Sequence, residues 1–253
     1  MVVTSGDVIW HDLECGSYRA DLPLWRELAG RHGDPILDIG AGTGRVALDI
    51  AQAGHTVTAL DLDSDLLGAL QGRAGGELVE TVCADARSFE LGRHDFALCL
   101  VPMQTIQLLS GSAERVALLR CAFAHLRPGG LLACAIVTEL EPFDVADGSP
   151  GPTPETSQVG ETLYTSQATR VQVLPERIVI ERSRRIVSSD VRNPSDEGSA
   201  VRPAVERNIV ELARLSARGF EREGSKAGFH REPALVIEPT DEHVGSTVVM
   251  LRV

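Results

Sequence analysis

Between Asp34 and Thr138 short apolar runs alternate with stretches whose apolar residues recur at helical spacing. Pro35-Ile36-Leu37-Asp38-Ile39 is a brief apolar run ending in glycines, the mark of a buried parallel strand. Thr43 to Ala53 places Val46, Ala47, Ile50 and Ala51 on one helix face, and Gly54 stops it. His55 to Asp61 is rich in β-branched residues and reads as the next strand. Asp63 to Leu70 is a short helix opened by Asp and Ser, which suit an N-cap. Leu78–Cys83, Phe96–Val101 and Leu131–Thr138 supply three more strands. Between the last two, Ala113 to Leu126 predicts an amphipathic helix closed by Pro128-Gly129-Gly130. Strands alternating with helices give a parallel sheet with right-handed crossovers.

The flanks have a different character. Leu22, Leu24, Trp25 and Leu28 predict a leading helix within Ser17–Arg31. After the sheet, Asp147–Ser157 is turn-rich, and neither strand nor helix can persist there. Leu163–Val173 and Arg177–Val187, separated by Leu174-Pro175-Glu176, read as an antiparallel hairpin. A loose stretch, Ser188–Pro203, precedes a strand near Val205–Val210. Glu211–Gly228 reads as a helix ending at glycine, and Ala234–Glu238 and Thr247–Val253 as two closing strands. Residues 1–138 and 211–253 are thus expected to form the core. Residues 139–210 form an antiparallel insert, too small for its own stable core, that should pack on the main sheet as a lid.

Composition narrows the class. The 253 residues carry 24 Lys and Arg against 36 Asp and Glu, a net charge of −12, which argues against a grip on a nucleic-acid backbone. The 43 % hydrophobic and 24 % charged fractions are those of a soluble globular chain. No apolar run reaches the roughly 18 residues of a membrane span. Met1–Trp10 has neither the basic start nor the apolar stretch of a signal peptide. Cys15, Cys83, Cys99, Cys121 and Cys134 are scattered without a C-x-x-C, so neither a disulfide frame nor a metal site is expected. A cytoplasmic protein with no membrane partner is the expectation.

The chemistry concentrates in Ile36-Leu37-Asp38-Ile39-Gly40-Ala41-Gly42-Thr43-Gly44-Arg45. A strand feeds a glycine loop that opens a helix, where the main chain can approach a ligand closely. A dinucleotide site would want G-x-G-x-x-G, and here the sixth position is Arg45 rather than glycine, which disfavours a nicotinamide-dependent oxidoreductase. The Asp-x-Gly-x-Gly-x-Gly pattern resembles motif I of the class I S-adenosylmethionine-dependent methyltransferases. Three further motifs follow in order: Asp61 ending the second strand, Cys83-Ala84-Asp85-Ala86 ending the third, and Arg127-Pro128-Gly129-Gly130 turning into the fifth. The resemblance covers Tyr18 to Val137 well and the rest loosely.

That resemblance implies a doubly wound, mostly parallel, seven-stranded Rossmann-like sheet with the antiparallel insert as lid. It implies S-adenosylmethionine as cofactor and S-adenosylhomocysteine as product. Gly40, Gly42 and Gly44 would cradle the cofactor, with Asp38 near its methionine amine. Asp61 and Leu62 would hold the ribose end, Asp85 and Ala86 would read the adenine edge, and Leu100 would end the fourth strand beside the methionine moiety. Tyr18, placed on the leading helix, would reach the cofactor carboxylate. Arg45 stands either to do the same or to brace Asp49 at i+4.

For the substrate, Leu100-Val101-Pro102-Met103-Gln104 replaces the Pro-Pro-aromatic motif of nucleic-acid adenine methyltransferases. It is similar to the Gln-bearing loop of small-molecule enzymes, so Gln104, ahead of Gln107, is the candidate substrate contact. A hydroxyl acceptor usually wants a base and a neutral amine does not; His11 and His243 are the candidate bases. His125 is read as packing or surface. The expectation is methyl transfer to an N or O atom of a small molecule, with a second copy of the chain as a candidate partner in a homodimer. The alternative is a cofactor-binding regulatory protein without transferase activity.

Overall fold

The computed structural model describes residues 6–188, 204–240 and 243–253. The N-terminal expectation for Met1–Ser5 and all but the first residue of the loose Ser188–Pro203 stretch lie outside these. The core is built from β1 (Ile36–Ile39), β2 (Val57–Asp61), β3 (Val79–Cys83), β4 (Phe96–Val101) and β5 (Leu126–Ile136), closed by β11 (His230–Ile237) and β12 (Ser246–Arg252). The seven strands run in the order β11-β12-β5-β4-β1-β2-β3. Neighbours from β5 to β3 pair in parallel, and β12 runs antiparallel to both β5 and β11. The sheet is therefore the expected one.

Every residue of β1 and β4 is buried because helices cover both faces. Ile36, Leu98 and Leu100 point into one cluster with Trp25 and Leu28 of α2 (Leu22–His32) and Val46 and Ile50 of α3 (Arg45–Gln52). Leu37, Ile39, Cys99 and Val101 point the other way. There they meet Leu118 and Leu119 of α5 (Ser112–His125) and Phe220 of α6 (Ala217–Ala227). The short helix α4 (Ser64–Gln71) is capped by Asp63, whose carboxylate accepts from the Asp65 and Leu66 N–H groups. No helix among the described residues is long and apolar enough to cross a membrane.

Three expectations change. A further helix, α1 (Gly6–Cys15), precedes the leading one. Tyr18 stands in the connection between them, because α2 starts only at Leu22, with Pro23 in its first turn. The helix expected from Glu211 begins at Ala217, and Glu211-Leu212-Ala213 instead continue a strand.

That strand, β10 (Ala204–Ala213), belongs to a five-stranded sheet with β6 (Phe143–Asp144), β7 (Glu155–Val159), β8 (Thr162–Val173) and β9 (Arg177–Ser188). The expected hairpin is β8–β9, paired antiparallel. This sheet has a small apolar cluster of its own, with Val171, Ile178 and Leu212 buried against Leu140 and Phe143. It lies chiefly against α1 and the 105–108 turn.

Gln107 joins the two sheets. Fully buried, its amide donates to the carbonyls of Val137 and Ala213 at 3.0 and 2.9 Å and accepts the Val137 N–H at 2.7 Å. Its carboxamide thus meets the chain where it leaves the core and where it returns. Gln107→Ala leaves buried backbone groups without partners, so it should destabilise the protein by about 3 kcal/mol. Denaturant unfolding with the change in midpoint checks this.

Candidate cofactor and acceptor site

In an open parallel sheet ligands gather at the carboxyl ends of the strands where the order reverses, here between β1 and β4. The glycine loop lies there and is laced to the end of β2. Gly40 and Ala41 donate their N–H groups to Leu60 O at 2.8 and 3.1 Å, and Gly42 donates to Asp61 Oδ2 at 2.7 Å. At Gly42, with φ +54°, an added Cβ would collide with the His11 ring, so only glycine fits. The other Asp61 oxygen accepts the Asp63 N–H at 3.0 Å. Leu62 beside it is 68 % exposed, a large apolar side chain left in solvent at the end of β2. Ala84 N–H bonds Asp61 O, which brings Ala84-Asp85-Ala86 alongside. Asp85 is gripped by the Arg87 guanidinium, with Nη2 to Oδ2 at 2.6 Å, and that partner holds its carboxyl down at about 2.

On the other side of the loop, Asp38 is buried on β1, and neither carboxylate oxygen has a well-aligned hydrogen-bond partner among the described residues. Burial among the apolar side chains of that face pushes its carboxyl up to about 7; Arg45 opposes the shift and Asp61 adds to it. Arg45 is held in place by a buried partner. It makes a bidentate pair with Asp21 at 2.6 and 2.7 Å, donates to Tyr18 O at 2.8 Å, and shares Asp21 with Trp25 Nε1 at 2.8 Å. Neither expected role for Arg45 matches this, since Asp49 pairs with Arg26 instead. The knot fixes the Tyr18 segment, whose hydroxyl is buried without a partner among the described residues. Burial, with Asp21 close by, pushes that phenol above its ordinary range, so it stays protonated and able to donate. The Arg45 guanidinium lies 5.2 Å from the Tyr18 ring centre, and His243 packs edge-on to the same ring at 4.8 Å.

The remaining candidates separate clearly. Leu100 is fully buried in the core opposite Asp38, so only its main chain is free to meet a ligand. Met103, with φ +52°, is the one non-glycine residue with positive φ among those described, and it turns the chain sharply after β4. Gln104 follows, with no partner for its amide among the described residues. Gln107 is spent structurally. His11 lies on α1 with Nδ1 3.3 Å from Thr43 Oγ1, whose proton goes to Asp12 Oδ1 at 2.7 Å. Nδ1–H therefore donates, and the Nε2 lone pair faces the glycine loop. Burial lowers the His11 pKa, against the pull of Asp12 and Asp61. His125 is buried as a packing residue, accepting the Leu91 N–H at Nε2 and donating from Nδ1 to Cys121 O. Its ring lies with Glu90 and His94 in a metal-like cluster, but both of its nitrogens are already used. The knot of Asp21, Arg45 and Trp25 had no local sequence signal, since its acid and its guanidinium stand 24 positions apart.

Residues 36–130 match the family model of a methyltransferase domain. With the strand order and the glycine loop, this match supports a class I S-adenosylmethionine-dependent methyltransferase domain over that stretch, with S-adenosylmethionine as its cofactor. Among curated proteins it is similar to the cypemycin N-terminal methyltransferase of a Streptomyces species. The two are 34 % identical over 115 residues, 44 % of this chain and 45 % of that protein. The chain thus spans under half the length of the curated relatives it matches. Its fold is similar to that of CalS10, an amino pentose methyltransferase of Micromonospora echinaspora, with a TM-score of 0.69, 17 % identity, and 100 % and 99 % of the two chains covered. It is also similar to that of the sugar N-methyltransferase KedS8 of a Streptoalloteichus species, with a TM-score of 0.70, 14 % identity, and 98 % and 94 % covered.

Asp38 gives the site a pH signature. Between its ordinary value of 3.8 and its raised value of about 7, the unfolded chain is ionised at this position while the folded protein keeps the proton. Stability therefore falls as pH rises through that window, by up to about 4 kcal/mol. Asp38→Asn removes the loss, so the melting temperature of the variant minus that of the wild type should be larger at pH 8 than at pH 5. Calorimetric melts at the two pH values check the sign.

Proposed function

We propose that the protein transfers the methyl group of S-adenosylmethionine to the nitrogen of an amine on a small molecule. The single observation carrying the reading is the unpartnered pair of buried polar groups beside the glycine loop. The Asp38 carboxylate suits an ammonium, and the Tyr18 hydroxyl, stacked under Arg45, suits a carboxylate. Together they complement the amino-acid end of the cofactor. Asp61, already holding Gly42, has lone pairs left for the ribose hydroxyls, and the exposed Leu62 offers an apolar face to adenine beside Asp85 and Ala86. Gly40, Gly42 and Gly44 keep the main chain close to the ligand, and Leu100 contributes backbone.

The bound cofactor supplies a sulfonium methyl that is already electrophilic, so the chain's task is alignment and exclusion of water. An amine arriving neutral forms the new C–N bond as the S–C bond breaks, and its surplus proton then passes to solvent. No side chain has to remove a proton first, so the histidines at the site, His11 against the glycine loop and His243 against the Tyr18 ring, need not act as bases. Gln104, with a free amide next to the sharp turn at Met103, orients the acceptor. The second sheet serves as the lid over it. The N-methyltransferase relatives support nitrogen as the acceptor, and the net charge of −12 supports a small molecule over nucleic acid.

Two measurements test the reading. Methyl transfer from labelled cofactor should appear across a panel of primary and secondary amines and be absent from matched phenols; transfer to phenols alone would reverse the choice of acceptor. Asp61→Ala should weaken S-adenosylhomocysteine binding by about 1–3 kcal/mol. Unchanged affinity in a titration calorimeter would remove Asp61 from the site.

A further inference from the structure

Helix α1 touches both halves of the molecule. On one side His11 lies against Gly42, Asp12 accepts the Thr43 hydroxyl at 2.7 Å, and Arg73 pairs with Asp12. On the other, Glu14 receives a bidentate pair from Arg184 of β9 at 2.8 and 2.9 Å and the Ser166 hydroxyl of β8 at 2.7 Å. Trp10 packs edge-on to Tyr164 at 5.3 Å, with the Arg184 guanidinium 5.1 Å from its ring centre. The Arg184 and Glu14 side chains are only 14 % and 11 % exposed. Two paired charges in such a place have fixed geometry, and removing one strands the other. Glu206, 3.6 Å from Arg184, is the remaining acid at the pair.

We infer that Arg184 is a positioning residue for the cofactor: through Glu14 it holds α1, and with it His11 and Asp12, down on the glycine loop. The second sheet thereby controls how long the cofactor stays, although it supplies no residue to the glycine loop itself. This inference rests on the cofactor site proposed above. It gives the sheet a part in cofactor retention as well as in covering the acceptor.

The test uses the full chain with S-adenosylhomocysteine, followed by titration calorimetry and stopped-flow dissociation. Arg184→Ala should weaken binding about tenfold, mostly through faster dissociation. With an amine substrate, the KM for S-adenosylmethionine should rise by a similar factor while kcat at saturation stays within about twofold. The charge exchange Glu14→Arg with Arg184→Glu should recover much of the affinity, a rescue that a general loss of packing would not show. If Arg184→Ala does not fold, Glu14→Gln reads the same contact from the core side and should shift dissociation in the same direction. A folded variant of either kind with wild-type affinity and dissociation rate overturns the inference. Failure of the wild type to bind S-adenosylhomocysteine at all would instead overturn the cofactor site.

Discussion

The N–H of Gly42 and the carboxylate of Asp61 meet across 2.7 Å, and the rest of the site is arranged around that bond. It joins the loop after β1 to the end of β2, so the curve of the loop is set by the sheet and not by the loop's own preferences. A loop of alternating glycines has little intrinsic stiffness. Lacing it to Leu60 and Asp61 turns it into a fixed surface, and His11 then closes it from the other side. The acid that braces the loop is also the one proposed to bind the ribose. On that proposal one carboxylate would give both rigidity and recognition.

The site is also destabilised locally. Among the described residues, Asp38 is buried on the apolar face of β1 without a well-aligned hydrogen bond, and the Tyr18 hydroxyl is buried without a partner. A fold selected only for stability would place apolar groups at both positions. Arg45 does not neutralise Asp38, because Asp21 and the Tyr18 carbonyl occupy its donors. The arrangement keeps an acid and a donor in reserve, and the stability lost there is what the proposed zwitterionic ligand would restore on binding.

The main sheet was legible because its signals are local. Strand β1 is an unbroken apolar run but for Asp38, and the glycines and the acids at 61 and 85 follow at spacings set by single βα units. What escaped depends on distant partners. Helix α1 carries Val8-Ile9-Trp10 as one apolar block rather than a spaced stripe, and it is held by Thr43, Arg184 and Tyr164, all far along the chain. Asp21 and Arg45 likewise find each other only in the fold. Glu211-Leu212-Ala213 are good helix formers, yet they pair with Arg177-Ile178-Val179, and the sheet overrides the local preference. The lone histidines gave no clue to their partners, because a ring's role is decided by what lies opposite each nitrogen.

The amide of Gln107 grasps Val137 and Ala213 together, so the two ends of a long excursion leave and re-enter the core at one socket. The plug meets the core chiefly there and along α1. A lineage can therefore lengthen or shorten the plug without rebuilding the sheet that carries the glycine loop, so long as the strand positions facing Glu14 are kept.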